Sequence, residues 1–143
     1  MSYTANPSRE YVRNAVLTAA PEQLQLMLYD GAIRFAVRGL EAIRANDREA
    51  AFVALERAQL ILLEMSNGIR REVNPALADR MGALYSFIYR RLIDANVGQD
   101  EQAVEEALRI LRYERESWLL LIEKLQKEAA APSDASATIN AQA

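Results

Sequence analysis

PEQLQLMLYDGAIRFAVRGLEAI, residues 21–43, is the stretch of sequence that decides the fold. On an α-helix, four apolar side chains of this stretch point in directions that differ by at most about 40° around the helix axis: Leu24, Leu28, Phe35 and Ala42. Other apolar residues, including Tyr29, Ile33 and Val37, continue this surface round to about 220°. A helix packed on one side buries a stripe of roughly 100°. The stretch therefore predicts a helix at the centre of a helical domain, or one that keeps part of its surface for another chain.

Three further stretches show helical periodicity and are separated by short breaks that contain capping residues. Their predicted bounds are from Asn46 or Asp47 to about Ser66, from Pro75 after Asn74 to about Asn96, and from Asp100 to about Lys127. Gly98 is expected near the left-handed position that ends the helix starting at Pro75. Because the connections are short, the pattern predicts an all-α fold, an antiparallel four-helix bundle with a short N-terminal cap segment.

The predicted core follows one stripe on each of these three helices. The stripes are Ala51, Leu55, Ala58, Leu62, Met65 and Ile69; then Leu77, Met81, Leu84, Tyr85, Ile88, Leu92 and Ala95; and then Val104, Leu108, Leu111, Trp118, Ile122 and Leu125. Residues 20–127 are expected to form the bundle, residues 1–19 an N-terminal leader or cap segment, and residues 128–143 a disordered tail. In the first helix, Gly31 and Gly39 are either tolerated glycines or points of close approach by another helix.

The composition excludes several classes of function. The chain has 143 residues, no His, no Cys and a net charge of −3. Without His or Cys it lacks the usual nucleophile–base pairs and the usual ligands of zinc and haem, so neither an enzyme nor a cofactor is expected. The absence of a basic cluster argues against a nucleic-acid partner, and no apolar run is long enough for membrane insertion. With no secretory signal sequence, the chain is expected in the cytosol.

Several large apolar residues lie away from the predicted core. Phe52, Leu60 and Leu63 fall in a sector of about 100° opposite the core stripe of their helix. The five consecutive apolar residues from Trp118 to Ile122 cover all sides of their predicted helix. Contiguous exposed apolar surface marks a binding site, and an amphipathic helix laid in a groove is the expected ligand. Two alternatives remain open: these residues pack under the N-terminal segment, or they form the homodimer interface of a structural helical-bundle protein.

Tyr11 belongs to a segment that is too short to form a stable helix alone. One role for this aromatic side chain is to anchor the leader to the bundle. The other is that the leader occupies a groove and moves when a partner arrives. The two roles are compatible with each other.

Tyr11 and the segment from Asn14 to Gly31, NAVLTAAPEQLQLMLYDG, resemble the opening of the FliS family of flagellin-specific export chaperones. The family pattern has a Tyr in the leader, a Ser/Ala-rich stretch and then Pro-x-x-Leu-Ile-x-Met-Leu-Tyr-Asp-Gly-Ala. Later landmarks match at the right spacing: Ala58 to Ile61, Leu84-Tyr85, Tyr89 to Leu92, Ala95-Asn96 and Trp118. The resemblance covers roughly residues 3 to 126. The departures are Ala20 in place of a Ser, Gln25 in place of an Ile, and the connection from Arg70 to Pro75.

This resemblance implies a four-helix bundle with a cap segment and a non-enzymatic cytoplasmic chaperone. Such a chaperone binds the C-terminal region of flagellin, prevents its premature polymerisation and keeps it competent for flagellar type III secretion. Components of the export apparatus are further expected partners, and a homodimer is an alternative state of the unliganded protein. Taken with the surplus apolar surface, the expected flagellin-binding residues are Tyr11, Val12, Ala15, Leu24, Leu28, Tyr29, Phe52, Leu60, Leu63, Tyr89 and Trp118.

Overall fold

Four α-helices make up residues 21–130, the part of the chain that the computed structural model describes. In chain order they are α1 (Pro21–Arg44), α2 (Arg48–Asn67), α3 (Pro75–Gly98) and α4 (Glu101–Ala130). Each helix packs against its neighbours in the sequence, and α4 closes the ring by packing against α1. Since the connections are short, consecutive helices run antiparallel. The predicted all-α, antiparallel four-helix bundle is confirmed.

The predicted leader, residues 1–19, lies outside the described residues, as does most of the predicted tail. The tail prediction is wrong at its start, because α4 continues to Ala130. The residues that extend the helix, Glu128, Ala129 and Ala130, all have high helix propensity.

Side-chain caps begin three of the helices, as the sequence predicts. Asp47 and Asn74 each accept a hydrogen bond from the backbone N–H three residues later, at 3.0 and 3.1 Å. Asp100 Oδ1 accepts one from the backbone N–H of Gln102 at 2.9 Å. Of the two residues considered as the cap of α2, Asp47 is the cap, while Asn46 has a φ of 57° and ends α1. These hydrogen bonds satisfy N–H groups that have no partner inside the helix.

The end of α3 differs from the prediction. Gly98 is the last helical residue, and the left-handed position falls on Gln99, whose φ is 50°. The backbone N–H of Asp100 donates to the carbonyl of Ala95 at 3.0 Å and closes the helix. Sequence reasoning assigned this position to the glycine because glycine adopts positive φ at the lowest cost. The chain instead turns one residue later, where Gln99 Nε2 donates to the carbonyl of Asn96 at 2.9 Å and satisfies one of the last carbonyls of the helix.

Gln99→Gly is therefore expected to raise the free energy of unfolding slightly, by up to about 0.5 kcal/mol. Glycine relieves the left-handed strain, and this gain exceeds the combined cost of its larger unfolded-state entropy and of losing the hydrogen bond from Gln99 Nε2 to the Asn96 carbonyl at 2.9 Å. Urea denaturation followed by circular dichroism measures the change. Ser86→Gly, at an exposed helical position of α3, is the control and should lower stability by roughly 0.5 kcal/mol. A Gln99→Gly variant less stable than the wild type would contradict the strain at this turn.

The core is built mostly from the predicted stripes. Its largest fully buried side chains are Tyr29, Leu55, Leu62, Met65, Ile88, Leu92, Val104 and Leu111. The prediction is wrong for Leu77 and Leu125, which are exposed, and Ile69 lies beyond the end of α2 and is only partly buried. All three lie at the end of the bundle where α3 begins and α4 ends. A side chain there has packed neighbours on fewer sides than one in the middle of the bundle.

Gly39 allows α1 and α2 to approach closely. A Cβ atom at this position would lie 2.5 Å from Leu55 Cδ2 and 2.7 Å from Leu55 Cγ. At Gly31, a Cβ atom would lie 3.1 Å from the terminal Cδ1 of Ile61. Of the two alternatives for these glycines, close approach by another helix is therefore correct, and the approach is tighter at Gly39.

Gly39→Ala is expected to lower the free energy of unfolding by about 1–2 kcal/mol, because displacing the buried Leu55 costs more than the roughly 1 kcal/mol gained in helix propensity. Gly31→Ala is the matched control. The terminal methyl of Ile61 can move by a few tenths of an ångström, so helix propensity dominates and stability is unchanged or higher. Urea denaturation of both variants tests the difference, and equal stabilities would mean that Leu55 moves without cost.

Candidate functional site

An open groove of about 430 Å³ runs between α2 and α3. Each helix contributes one row of residues spaced by four: Phe52, Glu56 and Leu60 from α2, and Tyr89, Ile93 and Val97 from α3, with Gln59 and Asn96 beside them. Asn96 Nδ2 donates to the carbonyl of Phe52 at 3.5 Å, so that Phe52 lies at the Val97 end and Leu60 at the Tyr89 end. Eight helical residues span about 12 Å, which is the length of two helical turns. We call this feature the α2–α3 groove.

The apolar side chains of the α2–α3 groove face solvent. Phe52 is 56% exposed, Leu60 54% and Val97 81%, while Tyr89 and Ile93 are half-buried. Such exposure of large apolar side chains on two adjacent helices is unfavourable unless another surface covers them. Both walls carry apolar side chains, at a spacing of eight on α2 (Phe52 and Leu60) and at a spacing of four on α3. Such walls fit an amphipathic helix, whose own apolar side chains recur every three to four residues.

The polar chemistry of the groove is limited. Glu56 is the charged residue among those that line it. Within residues 21–130, no group of three or more Asp, Glu, His or Cys side chains is arranged to hold a metal ion. No helix in this part of the chain is both long and apolar enough to cross a membrane. The groove offers a ligand apolar contact area, one carboxylate, the amides of Gln59 and Asn96 and the hydroxyl of Tyr89.

Three of the residues predicted to bind the partner come together in the α2–α3 groove: Phe52, Leu60 and Tyr89. Leu63 is exposed on the same face of α2, one turn beyond Leu60. The predicted binding residues did not include Ile93, although it lies off the core stripe of its helix, or Val97. Both residues continue the spacing of four from Tyr89, which is visible in the sequence. Val97, however, lies beyond the predicted end of the helix at about Asn96, so helical periodicity does not place it on a helix face.

Leu24, Leu28 and Trp118 lie elsewhere, on α1 and α4, and are half-buried. The indole N–H of Trp118 donates to the carbonyl of Glu22 at 2.8 Å, which ties the first turn of α1 to α4. Trp118 therefore has a structural contact in addition to its predicted role. The remaining three residues predicted to bind the partner lie outside the described residues: Tyr11, Val12 and Ala15.

Tyr29 is a correction, because it is only 1% exposed and belongs to the core. Its ring meets that of Tyr85 edge to face with centroids 6.3 Å apart, and the two hydroxyl oxygens lie 2.7 Å apart. Gln25 Nε2 donates to the Tyr85 hydroxyl at 3.0 Å. Burial raises the pKa of both phenols, since it disfavours the charged form. A partner cannot reach Tyr29 in this bundle, so we remove it from the flagellin-binding candidates.

Ion pairs connect the helices outside the groove. Asp30 on α1 pairs with Arg115 on α4, and this hydrogen bond raises the pKa of Arg115. Arg91 on α3 pairs with Glu106 on α4 at 2.9 Å. These contacts are partly or fully exposed, so each contributes little to stability, about 0–1 kcal/mol.

A four-helix bundle with an open apolar groove between two adjacent helices has an architecture suited to binding segments of other proteins. Comparison with known proteins identifies the family to which the chain belongs. The sequence model of the family described as "Flagellar protein FliS" matches residues 4–125. The chain therefore belongs to the FliS family, as its resemblance to that family predicts.

Individual relatives agree with this assignment. The chain is 34% identical over 123 residues to the "Flagellar secretion chaperone FliS" of Bacillus subtilis (strain 168), which covers 86% of this chain and 91% of the relative. It is 33% identical over 124 residues to the protein of the same name from Escherichia coli (strain K12), covering 81% and 89%. A structure described as "Crystal structure of flagellar chaperone from bacteria" shares the fold with a TM-score of 0.69 at 15% identity, covering 82% and 99%. FliS is a family of chaperones and not of enzymes, and membership gives this chain a chaperone role in flagellar export.

Proposed function

We propose that this protein is a cytosolic export chaperone that binds the C-terminal region of flagellin in the α2–α3 groove. In this role it covers a segment that otherwise polymerises, and it keeps flagellin competent for flagellar type III secretion. The observation that carries the proposal is the groove itself, in which Phe52, Leu60 and Val97 are exposed and Tyr89 and Ile93 are half-buried. Relatives named flagellar secretion chaperones support an exported flagellar protein as its occupant.

The energetics of the groove suit a disordered segment that becomes helical when it binds. Full burial of one Leu or Phe side chain contributes about 1.5–3 kcal/mol. A few such anchors offset the roughly 2–5 kcal/mol needed to order the segment. Glu56 favours an occupant that carries a Lys or Arg between its apolar anchors.

Other predicted contacts extend the proposed binding surface beyond the α2–α3 groove. Leu63 continues the exposed face of α2, and Leu24, Leu28 and Trp118 offer partly exposed area on α1 and α4. Tyr11, Val12 and Ala15 are proposed to contact flagellin or to occupy a groove until flagellin arrives. Components of the flagellar export apparatus are proposed as further partners.

Size-exclusion chromatography with light scattering tests the proposal. The purified protein mixed with full-length flagellin is expected to elute as a one-to-one complex, whereas flagellin without its C-terminal region, the matched control, should elute separately. The alternative is a structural protein whose surplus apolar surface forms a homodimer. A tight homodimer that full-length flagellin leaves unchanged would overturn the chaperone proposal in favour of this alternative.

A further inference from the structure

A second groove lies on the opposite flank of α2, between α2 and α1. Its walls include Phe35, Arg38, Ala50, Val53, Ala54 and Arg57, and its volume is about 440 Å³. None of its described lining residues also lines the α2–α3 groove. The two grooves therefore offer separate binding surfaces, and we call this one the α1–α2 groove.

Three guanidinium groups lie around the ring of Phe35: Arg38 and Arg57 line the groove, and Arg34 lies beside it without lining it. The Cζ atoms of Arg34, Arg38 and Arg57 lie 5.3, 5.4 and 5.5 Å from the centroid of the Phe35 ring. Arg34 and Arg38 come from α1 and Arg57 from α2, so the bundle itself brings these charges together. Attraction to the ring offsets part of the repulsion between like charges, but the charges themselves stay unneutralised.

Like several other arginines within residues 21–130, these three lack an ion pair, and they differ from those others in lying around one aromatic ring. Within residues 21–130, Arg44, Arg71, Arg91 and Arg115 each pair with a carboxylate. None of the ion pairs in that part of the chain involves the three arginines around Phe35. All three are exposed. The fork geometry of a guanidinium matches a carboxylate, so the cluster is suited to several carboxylates presented together.

The other residues that line the α1–α2 groove indicate which anionic ligands fit it. Ala50, Val53 and Ala54 form an apolar wall beside the arginines, which a free phosphate would leave uncovered. Asp47 and Glu49 line the groove at the beginning of α2, and Asp47 Oδ1 is occupied by the backbone N–H of Ala50. Because these carboxylates repel any anion placed next to them, the acidic side chains of a ligand must lie near Arg57, about two helical turns further along α2 than Glu49. A continuous polyanion such as a nucleic acid cannot avoid them in this way. A ligand with acidic and apolar side chains satisfies both parts of the groove.

We propose that the α1–α2 groove binds an acidic amphipathic segment of a partner protein, whose carboxylates pair with Arg34, Arg38 and Arg57 while its apolar side chains cover Val53 and its neighbours. This site is independent of the α2–α3 groove and goes beyond the flagellin-binding function. The protein thereby carries two binding surfaces, one on each flank of α2.

A fluorescein-labelled helical peptide of Glu and Leu residues is the probe, and fluorescence anisotropy measures its affinity. Arg34→Gln/Arg38→Gln/Arg57→Gln is expected to weaken binding about tenfold or more, because it removes three charge-assisted contacts. Arg57→Gln alone should show a smaller loss. Circular dichroism verifies that each variant is folded, as expected for exposed side chains.

Three controls make the assignment specific. Arg80→Gln/Arg109→Gln/Arg112→Gln changes net charge equally at exposed positions outside the groove and should retain wild-type affinity. Leu60→Glu, in the α2–α3 groove, should also retain wild-type affinity for the peptide. A peptide with Lys in place of Glu should bind the wild-type protein about tenfold more weakly or not at all. The proposal is overturned if the Glu peptide does not bind the wild type, or if the control triple variant loses as much affinity as the Arg34/Arg38/Arg57 variant. It is also overturned if Leu60→Glu abolishes peptide binding. Equal binding of a single-stranded oligonucleotide with the same arginine dependence would overturn it as well.

Discussion

Leu60→Glu is expected to weaken flagellin binding by roughly 30- to 1,000-fold, equal to about 2–4 kcal/mol, without unfolding the bundle. Leu60 is 54% exposed, so the free protein tolerates the charge. In the complex, the substitution removes about 1.5–3 kcal/mol of apolar burial. It also adds a carboxylate one turn from Glu56, which disfavours the bound state further. Isothermal titration calorimetry measures the affinity.

Leu120→Glu is the matched control for this experiment. Leu120 is 60% exposed on α4 and lines neither of the two grooves. Its substitution should leave the affinity within about threefold of the wild type and the melting temperature unchanged. An equal loss of affinity in both variants would contradict binding in the α2–α3 groove. Substantial unfolding of the Leu60→Glu variant would mean that Leu60 belongs to the core.

Raising the pH above about 10 is expected to destabilise the bundle through the buried pair Tyr29 and Tyr85. Burial, the largest cause, raises the pKa of both phenols above their ordinary value of 10.0, and the charge of nearby Glu114 acts in the same direction. In the unfolded chain both phenols titrate near their ordinary value. The folded protein therefore holds protons that the unfolded chain releases.

The sign of the effect follows from this difference. The contribution of the two phenols to stability is fully present below pH 10 and is lost as the pH rises above 10 toward their folded-state pKa values. Each phenol that stays protonated in the fold lowers the free energy of unfolding by about 1.4 kcal/mol per pH unit in this range. Urea denaturation at a series of pH values from 9 to about 11 measures the slope.

Tyr29→Phe/Tyr85→Phe removes both titrating groups and should flatten this pH dependence. Gln25, which is only partly buried, can bond to water when the hydroxyl of Tyr85 is gone. Tyr113→Phe, at an exposed position on α4, is the control and should retain the wild-type slope. A wild-type stability that stays constant through pH 11 would contradict the inferred protonation of the buried pair.

Sequence reasoning predicted three of the five apolar residues that line the α2–α3 groove, Phe52, Leu60 and Tyr89. Phe52 and Leu60 could be identified because they lie opposite a clear core stripe on the same helix. The α3 wall was incomplete, since pattern analysis of one helix does not reveal which of its exposed residues face a neighbouring helix. Tyr29 was misassigned for a related reason: its position in a family motif says nothing about whether its side chain points into the bundle or out of it.

The α1–α2 groove depends still more on tertiary structure. In the sequence, Arg57 is separated from Arg34 and Arg38 by the remainder of α1, the connection and the first half of α2. The close packing at Gly39 brings the two helices together, and Arg57 thereby reaches the Phe35 ring. No local pattern encodes that proximity.

The sequence by itself determined the four helices, their caps, most of the core and the family, because periodicity, capping chemistry and motif order are local properties of the chain. Tertiary structure decided which surplus apolar residues share a groove, that Tyr29 is buried beside Tyr85, and that Gln99 makes the turn after α3. These features depend on how helices distant in sequence are positioned against one another. That positioning is fixed by side-chain packing across the whole bundle, to which every helix contributes.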